Sequence, residues 1–473
     1  MGRIRAALMG MGICAGVLHA AEVRVVINPA QRYQTLEGWG SSLCWWAGQI
    51  GSWDEKKVAD IVQQITSPDG LNMNIFRYNI GGGDDPAHRG GHMVKGKGVR
   101  AEMEGFQSGP GAAYDWTADA AQRRILLALA RARKDVILEA FANSPPYWMT
   151  YSGCSAGHVD PKQDNLKPEY YGAFCRYLLD VCAWYQSAHA ITFRTLEPFN
   201  EPLTDYWPAQ GSQEGCHFST ETQITLLRIL DQELKKRPAL KLGLAASDET
   251  STRHCLQALK AYQQAGDILP RVRQINTHTY FAKPSERAEI QMRCQQAKKP
   301  LWQSETGPMG MPKADSALHS NLLLTQKLFD DLRVMQPVAW LDWQLFEEGN
   351  ETWCLWKCNF KKQSYHPVKN FYVRMQITRF FKQGYTLIES SDPTVLAAIS
   401  PSQHTLVLAV LNTEKTEKAY AMQLPQQVKS TVVAYRTSAT EDCAPLTGLT
   451  CAKTMLNYSA PARSLTTMVL TAP

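Results

Sequence analysis

Eight short apolar segments, separated by longer stretches of helical periodicity, run from residue 37 to residue 345 of a 473-residue chain. They read EGWGSSL (37–43), MNIFRYNI (73–80), DVILEAFANS (135–144), FRTLEPFNE (193–201), KLGLAASDE (241–249), QINTHTY (274–280), PLWQSETG (300–307) and AWLDWQL (339–345). Runs this short and this apolar suit strands buried on both faces. Between them, residues 117–134 set Ile125, Leu126 and Leu129 on one helical face, with an early Asp119 and a basic last turn that match the helix dipole. Another helix is expected behind a capping box of Thr220 and Gln223, where Ile224, Leu227, Leu230 and Leu234 form a stripe. Eight such alternations predict an α/β fold, the closed (β/α)8 TIM barrel, whose functional residues gather at the C-terminal ends of the strands. Polar residues do cluster there: Arg77, Asn143, Asn200, Glu201, Asp248, His278, Tyr280 and Glu305, with Trp343 beside them.

Beyond residue 385 the pattern changes. TVLAAIS, TLVLAVLN, KAYAMQL, STVVAYRT and SLTTMVLTA are short alternating strands separated by Pro, Ser, Asn and Gly. The segment EVRVVIN (22–28) alternates Val23, Val25 and Ile27 and is expected to join them. The organisation expected is therefore a barrel over 36–385 and a β domain built from both chain ends, 22–35 and 386–473.

Residues 1–21 read as an export signal: Arg3 and Arg5, an apolar run from Ala6 to Leu18, then small residues at Ala20 and Ala21. The run is too short to span a bilayer, so a secreted or periplasmic protein free of the membrane is expected. Losing the two arginines lowers the formal charge from +6 to +4, too little to argue for nucleic acid or a membrane surface. Apart from Cys14 in the signal, eleven cysteines are left, an odd number. Cys443 and Cys451 bracket a turn-like APLTGLT and are expected to be bridged; Cys175 and Cys182 fit helix packing. Cys354 and Cys358 lack a second pair or a histidine at zinc spacing, so no metal is expected.

No G-x-S-x-G elbow, H-E-x-x-H helix or Walker loop occurs, and GGGDD (81–85) carries two acids that would repel phosphate. What is left for chemistry is carboxylates at strand ends. Retaining glycosidic cleavage needs two carboxyl groups about 5–5.5 Å apart. Glu197 and Glu201 lie four residues apart in one strand candidate, and extended chain would separate them by about 13 Å. Only the later one, Glu201, can stand at the barrel mouth. Glu305, at the end of the seventh segment, is its expected partner. Thirteen tryptophans suit a cleft that stacks on sugar rings. Trp46, Trp148, Trp207, Trp302 and Trp343 are candidates for stacking, whereas Trp45 is expected to pack in the core with Trp46 facing the other way.

GWGSSLCWWA (38–47), ANSPPYWM (142–149), FNEP (199–202) and WQSETG (302–307) resemble glycoside hydrolase family 30, a family of retaining clan A enzymes. GWGSSLCWWA and GSQEGCHF (211–218) resemble its endo-β-1,6-galactanase branch. The resemblance spans the mature chain and implies a (β/α)8 barrel with an appended β-sandwich. It implies Glu305 as nucleophile and Glu201, its pKa raised, as acid/base. Asn200 would then bond the sugar 2-hydroxyl, Arg77 and Tyr280 would hold the nucleophile ionised, and Asn143 and His278 would contact ligand. The expected substrate is β-1,6-galactan, as in arabinogalactan side chains, cleaved by a monomer that uses no cofactor. Two alternatives stand beside it: another β-glycan (glucuronoxylan or β-1,6-glucan), and a carbohydrate-binding protein without catalysis. A glucuronate anchor would need basic residues near the last two strands, where Glu347, Glu348 and Glu351 stand instead.

Overall fold

The computed structural model describes residues 22–85, 103–425 and 431–471; the signal-like segment 1–21, with Cys14, lies outside them. Eight parallel strands close into a barrel: Gly38–Ser42, Ile75–Asn79, Ile137–Phe141, Thr195–Glu197, Gly243–Glu249, Val272–His278, Leu301–Glu305 and Ala339–Asp342. The first pairs with the eighth, Gly38 opposite Ala339, which completes the ring. Seven fall within their expected segments, and the sixth begins two residues before its own, at Val272. The fourth is the shortest, ending at Glu197, because Pro198 has no amide hydrogen with which to continue the ladder. Glu201 therefore sits in a turn beyond the strand, and the extended-chain count of residues to it does not hold.

Helices cover the barrel with the apolar stripes the sequence shows. Ala120–Ala132 buries Ile125, Leu126 and Leu129. Thr220–Lys235 buries Leu226, Leu227 and Leu230, but its cap lies one residue earlier than expected. Ser219 accepts from the Thr222 amide, and Gln223 turns inward to donate to Phe218 O and Glu249. Among the described residues no helix is long and apolar enough to cross a membrane.

The second layer is a ten-stranded sheet in which the N-terminal strand Val23–Thr35 lies between Thr386–Ser390 and Lys418–Gln423. Strand Thr405–Asn412 shows how the two units join. Leu406, Leu408 and Val410 face the core of the sheet with Val25 and Ile27, while Val407, Ala409 and Leu411 pack into the core of the barrel. Burial on both faces accounts for the unbroken run LVLAVL. The expected Cys443–Cys451 bridge is absent, and all eleven cysteines described are free. Cys443 directly precedes one edge strand, Ala444–Leu446, whereas Cys451 begins the strand at the opposite edge of the sheet.

Candidate active site

Glu201 and Glu305 converge at the mouth of the barrel. Together with His278 they place one oxygen or nitrogen each within 4.8 Å of one another. Glu305 is the last residue of the seventh strand; Glu201 is held by its backbone, at φ +50°, with its amide donating to Asp248 O at 2.9 Å. Side-chain donors fix both carboxylates. His278 Nδ1 lies 3.1 Å from Glu201 Oε1, and the Tyr206 hydroxyl bonds Oε2. Tyr280 donates to Glu305 Oε1 at 3.2 Å, and Arg77 Nη1 stands 3.9 Å from Oε2.

Below the pair lies a buried charge network. Arg77, fully enclosed, donates to Glu139 at 2.9 Å, to Ser304 O at 3.3 Å and to Asp248. Glu139 also accepts from Thr195, Gln274 and Asn276. Asp248 bonds Ser304 and lies 3.2 Å from His278 Nε2. Burial works against the Asp248 carboxylate, yet Arg77 and His278 hold it down at about 2. Burial likewise opposes a charge on His278, but the Glu305 and Asp248 carboxylates raise it to about 10. His278 is thus an imidazolium at neutral pH, facing both carboxylates. Burial, reinforced by Glu201, lifts Glu305 to about 7 against the pull of His278 and Arg77.

Glu197 has no place in the cavity. It is fully buried, its Oε1 accepts weakly from the Phe199 amide at 3.4 Å, and its Oε2 has no hydrogen-bond partner. Burial, with Asp248 and Glu139 nearby, pushes it well up, so it sits in the barrel as a neutral acid.

The pair opens into a cavity of about 750 Å³. Asn143, Asn200, Trp207, Tyr280 and Trp343 line it as expected. The Asn200 side-chain oxygen is buried without a partner, free for a ligand hydroxyl. Five expected contacts are elsewhere. Trp46 opens a short helix and packs on Phe346 in the core, while Trp45 lines the cavity, edge-on to Trp343; the helix start, not strand alternation, sets which ring turns inward. Trp302, near the start of its strand, lies at the foot of the barrel, bonded to Glu37 and covered by Arg194. Trp148 bonds Gln107 O and packs on Tyr170. Arg77 is sealed beneath the carboxylates and touches no ligand space. His278 is equally enclosed and acts through Glu201, Glu305 and Asp248.

Residues not singled out from sequence complete the wall: Tyr206, Thr250, Phe281, Met309 and Trp353. All lie in loops after strands, where periodicity carries no signal of height. The loop 211–218 has a structural logic of its own. Glu214 accepts from Asn79 and the Gly82 amide, tying it to the loop after the second strand. A side chain at Gly215 would come within 2.2 Å of the Trp207 ring, so glycine is what lets that indole lie flat beside Gly211, Ser212 and Gln213 on the cavity wall.

The family model described as O-glycosyl hydrolase family 30 matches residues 22–349. The endo-beta-1,6-galactanase of Hypocrea rufa is 30% identical over 406 residues, covering 83% of this chain and 81% of that one. The exo-beta-1,6-galactobiohydrolase of Bifidobacterium longum is 25% identical over 450 residues, 72% of this chain but 29% of that longer one. The catalytic domain of GH30 xylanase C from Talaromyces cellulolyticus shares the fold with a TM-score of 0.73 at 18% identity, over 95% of this chain and all (100%) of that one.

Proposed function

Because the chain belongs to glycoside hydrolase family 30 and is an O-glycosyl hydrolase, we propose that it is an exported, monomeric endo-β-1,6-galactanase that cleaves with retention. One observation carries the mechanism: carboxylates from the fourth and seventh strands approach to within 4.8 Å beside an aromatic-walled cavity. That separation fits a nucleophile with an acid/base and leaves no room for the water an inverting pair needs. With Glu201 acting as the acid, ionised Glu305 attacks the anomeric carbon. The glycosidic C–O bond breaks, and the Glu201 proton passes to the leaving oxygen. Glu201, now a carboxylate, takes a proton from water whose oxygen displaces Glu305 from the glycosyl ester. The His278 imidazolium and Tyr280 stabilise charge on the pair throughout, and Asn200 offers its unpartnered oxygen to a sugar hydroxyl.

A neutral β-1,6-galactan is supported by two observations. The two relatives similar in sequence are named endo-beta-1,6-galactanase and exo-beta-1,6-galactobiohydrolase. Among the described residues that line the cavity none is Lys or Arg, and Glu347 stands there, which disfavours a glucuronate-bearing chain. The test is a panel of β-1,6-galactan, β-1,6-glucan and glucuronoxylan with product lengths recorded. Oligosaccharides of several lengths from galactan alone are expected. Glucan or xylan as the preferred substrate would refute the substrate, and a single short product would refute internal cleavage.

A further inference from the structure

Phe281 follows the sixth barrel strand and is out of place by every ordinary rule. Its backbone lies at φ +55°, where a bulky side chain is a strained outlier. The ring gains little packing in return, since the residue is 56% exposed at the cavity rim. It packs against Gly310, where a Cβ would stand 2.8 Å from Phe281 Cδ1; bare backbone there leaves room for the ring. Met309 beside it, 45% exposed, extends the apolar rim.

The side of the cavity is fixed by Glu201. Its Oε1 shares His278 Nδ1 with Glu305, so Oε2, toward Tyr206, is the oxygen on the side away from the nucleophile, where the leaving group departs. Tyr206 approaches Thr250 at 3.2 Å, and these two with Phe281 form one arc of wall after the fourth, fifth and sixth strands. Trp45 and Trp343 come from the opposite arc, after the first and eighth. Resting on the hydrolase reading above, we infer that Phe281 is the platform on which the leaving-group portion of the glycan chain stacks, and that its strained backbone exists to expose the ring. The ligand face is the apolar face of a pyranose, one unit beyond the bond that is cut.

Phe281→Ala and Phe281→Gly test this with two readouts. On β-1,6-galactan kcat/KM should fall about tenfold, chiefly through KM, as expected for a lost stacking contact. On 4-nitrophenyl β-1,6-galactobioside, whose leaving group is no sugar, it should stay within about twofold. The Tm of Phe281→Gly should equal or exceed that of wild type, since glycine removes the left-handed strain. Equal losses on both substrates, no loss on galactan, or a fall in the Tm of Phe281→Gly beyond about 3 °C would overturn the inference. If wild type cleaves neither substrate, the galactan reading fails instead. The comparison is then made on whichever panel glycan is cleaved and its aryl glycoside, with the same outcomes deciding.

Discussion

Replacing Arg77 by methionine should convert the buried network from a stabilising to a destabilising feature, with a pH signature that identifies the cause. Arg77 is the cation shared by Asp248 and Glu139, both fully enclosed. Asp248 keeps His278 and Ser304 when Arg77 is gone. Glu139, already raised by burial and lowered chiefly by Arg77, is the group that must take a proton. Keeping a neutral acid in the fold costs about 1.4 kcal/mol for each pH unit above its unfolded value near 4.3. The cost is therefore up to about 3.7 kcal/mol at pH 7 and about 1 kcal/mol at pH 5. With roughly 2.1 cal/mol/K of unfolding entropy per residue, the Tm deficit is about 4 °C at pH 7 and about 1 °C at pH 5. Asp248 adds no slope to wild type in this window. A depressed acid contributes stability that is present above its unfolded pKa near 3.9 and lost only as pH falls through its folded value of about 2. Differential scanning calorimetry of both proteins at the two pH values decides the matter. A deficit that does not shrink between pH 7 and pH 5 would mean Arg77 stabilises by packing alone, and the electrostatic account would be wrong.

Other outcomes follow from the same geometry. Burial, with the Glu201 carboxylate nearby, lifts Glu305 to about 7, and only its ionised form can attack, so kcat/KM should fall below about pH 7 with a slope of one. In Glu201→Gln that limb should move to lower pH for an aryl glycoside, because Glu305 loses the neighbouring carboxylate that pushes it up; an unchanged limb would assign it elsewhere. The same variant should fail on galactan yet form the glycosyl-enzyme from substrates with good leaving groups, seen as a burst of phenolate. Trp45→Phe should weaken galactan binding with little change in Tm. Trp46→Ala should destabilise by about 3–5 kcal/mol, the usual cost of emptying a core tryptophan site. Chemical denaturation with activity assays would expose a reversal of the two roles.

The barrel was legible because each strand writes the same signature: an apolar run that must be buried, closed by polar residues that cannot be. Glu201 and Glu305 were legible for the same reason, as acids at the open ends of two such runs. Glu197 shows where the logic needed the fold. Pro198 ends its strand, so geometry beyond it follows a turn held by Asp248, not a strand rise. The tryptophans divide similarly. Trp302 stands at the second position of its strand, which places it at the barrel foot, a signal present in the sequence but not used. Trp46 turns into the core because it opens a helix, while Trp45, buried as expected, also edges the cavity. Tyr206, Thr250 and Phe281 owe their places to loop paths, and no local pattern encodes how high a loop rises over a barrel.

Trapping with a 2-deoxy-2-fluoro β-galactosyl fluoride, followed by peptide mapping, tests the central claim most directly. The fluorine slows hydrolysis of the ester more than its formation, so the covalent intermediate accumulates. The account predicts one fluorogalactosyl adduct, on Glu305. An adduct on Glu201 would reverse the two roles, and inactivation with no adduct on either carboxylate would contradict the double displacement.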